Sequence, residues 1–86
     1  MKEIEIFKAL ADPTRLKILH LIKNKEKCIC EIIPETQKSQ PTISQHIRIL
    51  RNANLITQRK QGTNIWIAPS NNQIYSIIHK TQEMNK

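Results

Sequence analysis

Apolar residues recur at three- and four-residue intervals from Ile4 to Leu50, the period changes from Leu55, where Ile56 and then Ile65 and Ile67 flank a polar stretch, and helical intervals return from Ile74. A chain patterned this way is limited to helices carrying one pair of strands, because the two periods match different backbones. Ile4, Phe7 and Leu10, with Ile6 and Ala11 beside them, place a first helix over residues 2 to 11. It stops at Asp12-Pro13, where Asp12 suits an N-cap and Pro13 the first position of a second helix running to about Asn24. Leu16, Ile18, Leu19, Leu21 and Ile22 spread over more than one face of that helix, so it is central and packed on both sides. After the polar break Asn24 to Lys27, a third short helix is expected around Cys28 to Thr36, with Ile29, Ile32 and Ile33 inward and Pro34 weakening it.

Ser39-Gln40-Pro41-Thr42 reads as an N-cap serine with proline in the first turn, and Ile43, Ile47 and Leu50 continue it as an amphipathic fourth helix over 40 to 52. Ile56, Gln58 and Lys60, then Ile65 and Ile67, alternate around Gln61-Gly62-Thr63-Asn64, which predicts a β-hairpin. A last helix follows Pro69-Ser70-Asn71. The order α-α-α-α-β-β-α is mostly α with a β-hairpin, a winged helix-turn-helix over one domain, residues 1–86. Ile4, Phe7 and Leu10 on the first helix, and Ile74, Ile77 and Ile78 on the last, exceed what so small a core can cover. A homodimer joined through these terminal helices would bury them.

Charge narrows the partners. Fourteen Lys and Arg against seven Asp and Glu give +7 over 86 residues, which points to a polyanion. Only three rings are present, Phe7, Trp66 and Tyr75, too few and too scattered for binding by base stacking, so duplex DNA is expected and RNA is not. The single glycine, Gly62, excludes glycine-rich phosphate loops and dinucleotide fingerprints. No apolar run approaches the roughly 20 residues of a membrane span, and Met1-Lys2-Glu3 opens no apolar signal region; a soluble, cytoplasmic protein without a membrane partner is expected. A thiol oxidoreductase built on Cys28 and Cys30 lacks both the strand-turn-helix context and a third group to orient a base, so no enzyme is expected.

On the fourth helix Gln40, Thr42, Ser44, Gln45, Arg48 and Arg51 fall on the outer side, with Pro41 in the first turn. None of the six is apolar or acidic, and a helix of this kind fits the major groove, where Gln pairs with adenine at two points and Ser or Thr reaches bases or phosphates. The hairpin adds Arg59, Lys60, Gln61, Thr63 and Asn64 for the minor groove or the backbone. Trp66 is expected to pack on the body. The alternative is a protein-interaction module of the same shape that meets an acidic partner through this basic face.

The run Ala9-Leu-Ala-Asp-Pro-Thr-Arg-Leu-Lys-Ile-Leu19, then Cys28-Ile-Cys-Glu-Ile32, then Ser39-Gln-Pro-Thr-Ile-Ser-Gln-His-Ile-Arg-Ile-Leu50, then Leu55 to Trp66 resembles the arsenic-repressor (ArsR/SmtB) family of bacterial and archaeal regulators. The resemblance covers nearly the whole chain. It implies a homodimeric repressor on an operator palindrome, released in many members by a metal or metalloid. In metal-sensing relatives the third helix often carries Cys-x-Cys, matched here by Cys28-Ile29-Cys30, but the third thiol of arsenic-type sensors and the cysteine-bearing extension of cadmium- and lead-type sensors have no counterpart. Where the zinc-type site on the last helix uses Asp and His, rough alignment puts Asn71 and Gln73.

Cys28 and Cys30 are too close to staple distant elements, and are expected reduced unless they do redox work. Two residues apart on a helix they would point about 200° apart and share an ion only if the first turn frays. Lys25, Lys27 and a helix start favour the thiolate. No cofactor is required; a thiophilic metal or metalloid effector at Cys28 and Cys30, redox sensing, and a merely structural pair remain three open readings. His20, His46 and His79 are assigned to no metal.

Overall fold

Capping chemistry sets most of the helix boundaries. The computed structural model describes residues 1–85, Lys86 lying outside them. Its elements are α1 (Lys2–Leu10), α2 (Pro13–Leu21), β1 (Lys27–Cys28), α3 (Ile29–Thr36), α4 (Gln40–Asn52), β2 (Ile56–Gln61), β3 (Asn64–Pro69) and α5 (Gln73–Met84). The Asp12 carboxylate accepts from the Arg15 amide at 3.1 Å to start α2, and the Ser39 hydroxyl accepts from the Thr42 amide at 3.3 Å to start α4. α2 ends at Leu21, three positions before the expected Asn24, because Ile22 is the last apolar residue to bury and the Lys23-Asn24-Lys25 run has none. Pro34 sits inside α3 without breaking it. That helix instead ends at Thr36, and Gln37 takes a left-handed φ of 58° that turns the chain into α4.

The expected hairpin gains a third strand. β2 and β3 pair antiparallel from Ile56↔Pro69 to Gln61↔Asn64, around a two-residue turn in which Gly62 has φ +62°. Glycine at the first position of such a turn continues the strand twist. Beside it β1 adds Lys27↔Ile67 and Cys28↔Trp66, giving the order β1-β3-β2. The sequence reading placed Cys28 in a helix; a two-residue strand is too short for period-2 alternation to register.

The core is aliphatic. Ile18, Leu19, Ile22, Ile32, Ile43, Leu50 and Ile67 are its fully enclosed side chains, drawn from α2, α3, α4 and β3 and the residue that ends α2. α5 closes it, and here the expectation for the terminal helix is corrected: Ile74 and Ile78 are 4% and 6% exposed and belong to the subunit's own core. They share the inner side of α5 with Tyr75, leaving Ile77 at 40% exposure, together with Ile4 at 47% and Phe7 at 58% on α1. Leu10 is half-buried.

The Tyr75 hydroxyl donates to the Leu19 carbonyl at 2.6 Å, and burial pushes its pKa up to about 12. Because only the unfolded chain ionises near the ordinary value of about 10, the stabilisation is complete below pH 10 and falls away as the pH rises toward 12. Tyr75→Phe should therefore lower stability at neutral pH by about 1 kcal/mol and flatten the alkaline loss measured in denaturant titrations at pH 9 and 11.

Candidate nucleic-acid interface

α4 follows α3 after a three-residue turn, and its buried side, Ile43, Ile47 and Leu50, fixes which side faces out. Gln40, Pro41, Ser44, Gln45, Arg48 and Arg51 are all exposed there. Thr42 is half-buried and belongs to the cap, its hydroxyl accepting from Ser39 at 2.9 Å. Between α4 and the hairpin runs an open groove of about 450 Å³ lined by Pro41, Ser44, Gln45, Arg48, Arg51 and Gln58, floored by Ile29, Ile47 and Ile65. Arg51 crosses it, donating to the Gln58 side chain at 2.7 Å, so the helix end and the wing are tied together.

Gln61, Thr63 and Asn64 at the wing tip and Lys60 beside them are exposed. Arg59 is also exposed but is occupied. Its guanidinium donates to both carboxylate oxygens of Glu26, to Gln61 at 2.9 Å, and lies 5.5 Å from the centre of the Trp66 ring. The Arg59 hydrogen bond holds the Glu26 carboxyl below the usual carboxylate range, and Glu26 in turn raises Arg59. Half-buried Trp66 carries an arginine on its face, and Glu26, which sequence reading passed over, pins the wing to the segment before β1. A bidentate pair with a carboxylate orients arginine more firmly than water does. Glu26→Gln should free Arg59 and tighten non-specific duplex binding at low salt by a few-fold, since one acidic charge is removed from the face; titration of a labelled duplex at two salt concentrations reads this.

A second unanticipated junction joins α1, α2 and α4. The Arg15 guanidinium donates to the carbonyls of Ala9 at 2.7 Å and Lys8 at 3.3 Å, which end α1, and lies 3.1 Å from His46 Nδ1 on α4. His46 Nδ1 is 3.9 Å from Asp12. Burial pushes the Asp12 carboxyl up, but the hydrogen bond from the Arg15 amide and the Arg15 and His46 charges together bring it below the ordinary value. His46 is half-buried in this packing role.

Cys28 is not helical. It is the N-cap of α3, extended at φ −73° and ψ 147°, and its sulfur accepts from the Cys30 amide at 3.2 Å while Glu31 accepts from the Cys28 amide at 3.0 Å. The 200° separation expected for two helical residues therefore does not arise: the structure joins Cys28 and Cys30 as a disulfide, with Cα atoms 5.1 Å apart, where a reduced pair was expected unless the thiols do redox work. Cys28 is 2% exposed; Cys30 faces solvent.

The family model described as bacterial regulatory protein, arsR family, matches residues 12–58, from the cap of α2 into the first strand of the wing. The chain belongs to the ArsR family. Over 84 residues, 96% of this chain and 94% of the relative, it is 44% identical to an uncharacterized HTH-type transcriptional regulator of Methanocaldococcus jannaschii. It is 36% identical over 80 residues to the arsenical resistance operon repressor of Staphylococcus aureus, covering 93% of this chain and 77% of that one. In fold it matches a winged helix-turn-helix DNA-binding domain from Mycobacterium bovis with a TM-score of 0.86, at 24% identity, covering 98% of this chain and 78% of that one.

A metal effector of ArsR-family type finds an incomplete donor set. Cys28 and Cys30 supply two sulfurs, and no group of three or more His, Cys, Asp or Glu side chains able to hold an ion is present among the described residues. Asn71, where zinc-type members are expected to place a ligand, instead accepts from the Gln73 amide at 2.9 Å and opens α5. These residues do not fit a three- or four-coordinate thiophilic site. No helix among the described residues is long and apolar enough to cross a membrane.

Proposed function

We propose that this ArsR-family chain is a transcriptional repressor that binds duplex DNA as a homodimer. It lays α4 in the major groove at each half of a palindromic operator and its wing along the flanking backbone. The observation that carries the reading is the continuous exposed face of Gln40, Ser44, Gln45, Arg48, Lys60, Thr63 and Asn64 on a chain of net charge +7. The Staphylococcus aureus relative is named as a repressor, and the Mycobacterium bovis domain is described as homodimeric. Exposed Ile4, Phe7 and Ile77 supply an apolar patch for a second copy. DNA binding requires no cofactor, no catalysis is part of the role, and the working compartment is the cytoplasm. Effector control is assigned to the thiols of Cys28 and Cys30.

Selection of bound fragments from a random duplex pool, followed by shift assays at two salt concentrations, tests this. The expected result is a palindromic motif whose log affinity falls with log salt by about 0.9 per phosphate contacted. Lys60→Ala should reduce that slope by about one for every sequence. Gln40→Ala or Gln45→Ala should instead relax base choice at one position per half-site, worth about 1–3 kcal/mol. Equal weak binding to all duplexes would favour an interaction module with an acidic protein partner.

A further inference from the structure

We propose that Cys30 is a covalent modification site for low-molecular-weight disulfides, that its adduct blocks the DNA-reading cleft, and that Cys28 is the resolving thiol that expels it. The proposal rests on the DNA-binding reading above and specifies how that face is regulated. Three observations carry it. The two sulfurs are in bonding contact, yet they differ in access: Cys28 is 2% exposed and Cys30 is open to solvent. Both border a cavity of about 190 Å³ whose other walls include Gln40 and Ser44 of α4 and Thr63 and Asn64 of the wing tip. Those four are residues proposed above to meet DNA, so whatever stands on Cys30 rises into the space a duplex must enter. The four are uncharged, so this part of the wall neither repels nor captures an ionic adduct by itself, while the net charge of +7 favours an anionic one.

The chemistry balances. The Cys30 thiolate attacks one sulfur of R–S–S–R; that S–S bond breaks, a Cys30–S–R bond forms, and RS⁻ leaves, taking up the proton the Cys30 thiol released. The Cys28 thiolate then attacks the Cys30 sulfur and displaces the second RS⁻, which takes up the Cys28 proton. Two protein thiols are oxidised, and one external disulfide is reduced to two thiols. The closed bridge adds no atoms to the cavity, and with the bridge in place α3, α4 and the wing hold the arrangement described above. The mixed disulfide is thus the blocked state and the internal bridge is an unblocked one.

Reduced wild type, Cys28→Ser and Cys30→Ser are treated with oxidised glutathione and read by intact mass and by duplex binding. Serine is a preferred N-cap, so Cys28→Ser keeps the start of α3. Wild type should end two hydrogens lighter and still bind duplex. Cys28→Ser should hold one glutathionyl group and bind at least about tenfold more weakly until dithiothreitol removes it, and Cys30→Ser should react slowly because Cys28 is buried. With duplex at a hundred times its Kd, alkylation of Cys30 in Cys28→Ser should slow about a hundredfold. Alkylation unaffected by duplex, or a glutathionylated Cys28→Ser that binds like the unmodified chain, would overturn the blocking; a stable adduct on wild type would overturn the resolving role. If reduced, unmodified protein binds no duplex at all, the DNA reading fails, while the mass comparison still decides the thiol chemistry.

Discussion

Phe7→Glu is expected to yield a folded monomer whose operator affinity has dropped by about a hundredfold or more. Within one subunit the Phe7 ring is 58% exposed and contributes little to the core, so its replacement leaves the enclosed Ile and Leu side chains untouched. In a two-fold dimer the same patch meets its own copy, and each introduced carboxylate is present twice in an apolar contact where desolvating it is costly. A monomer presents one α4 to one half-site and forfeits the effective concentration that the second subunit supplies. Sedimentation equilibrium and a shift assay on the same sample read both effects. A Phe7→Glu protein that remains dimeric would move the interface elsewhere.

Arg15→Met should destabilise the fold by about 2–4 kcal/mol, which for a domain of this length lowers Tm by roughly 10–20 °C. The methionine keeps much of the aliphatic stem but withdraws the donors to the Lys8 and Ala9 carbonyls and the contact with His46. Those carbonyls end α1, where the helix dipole also favours a positive charge, so one substitution removes a cap and a charge together. The loss has a direction: α1 carries the patch proposed for dimerisation and α4 the face proposed for DNA, and Arg15 bridges them through α2. Calorimetry gives the stability change. A Tm within about 2 °C of wild type would mean that water satisfies these carbonyls equally well.

Much of this was legible in the chain. Asp12-Pro13 and Ser39-Gln40-Pro41 each fix a helix start within a few residues, and the structure begins α2 and α4 where they place them. Ile43, Ile47 and Leu50 oriented α4, and with it the outward set from Gln40 to Arg51, because a helix with one buried stripe has only one way to face. Gly62 between alternating residues marked the wing. Thr42 illustrates the margin of error, since spacing put it on the outer side and cap hydrogen bonding draws it half inward.

What the residue order alone determined was local: helix starts, the stripe of α4, the hairpin turn, an aliphatic core and a cationic surface. Each depends on neighbours within about four positions or on composition, and both can be read without knowing what packs where. Tertiary structure decided the rest. Pairing of Lys27-Cys28 with Ile67-Trp66 took Cys28 out of the helix and brought its sulfur onto Cys30, burial in the subunit core enclosed Ile74 and Ile78, and contacts across 31 and 33 positions joined Arg15 to His46 and Glu26 to Arg59. Partners so far apart leave no periodic trace in a sequence, because only the folded chain fixes the distance between them.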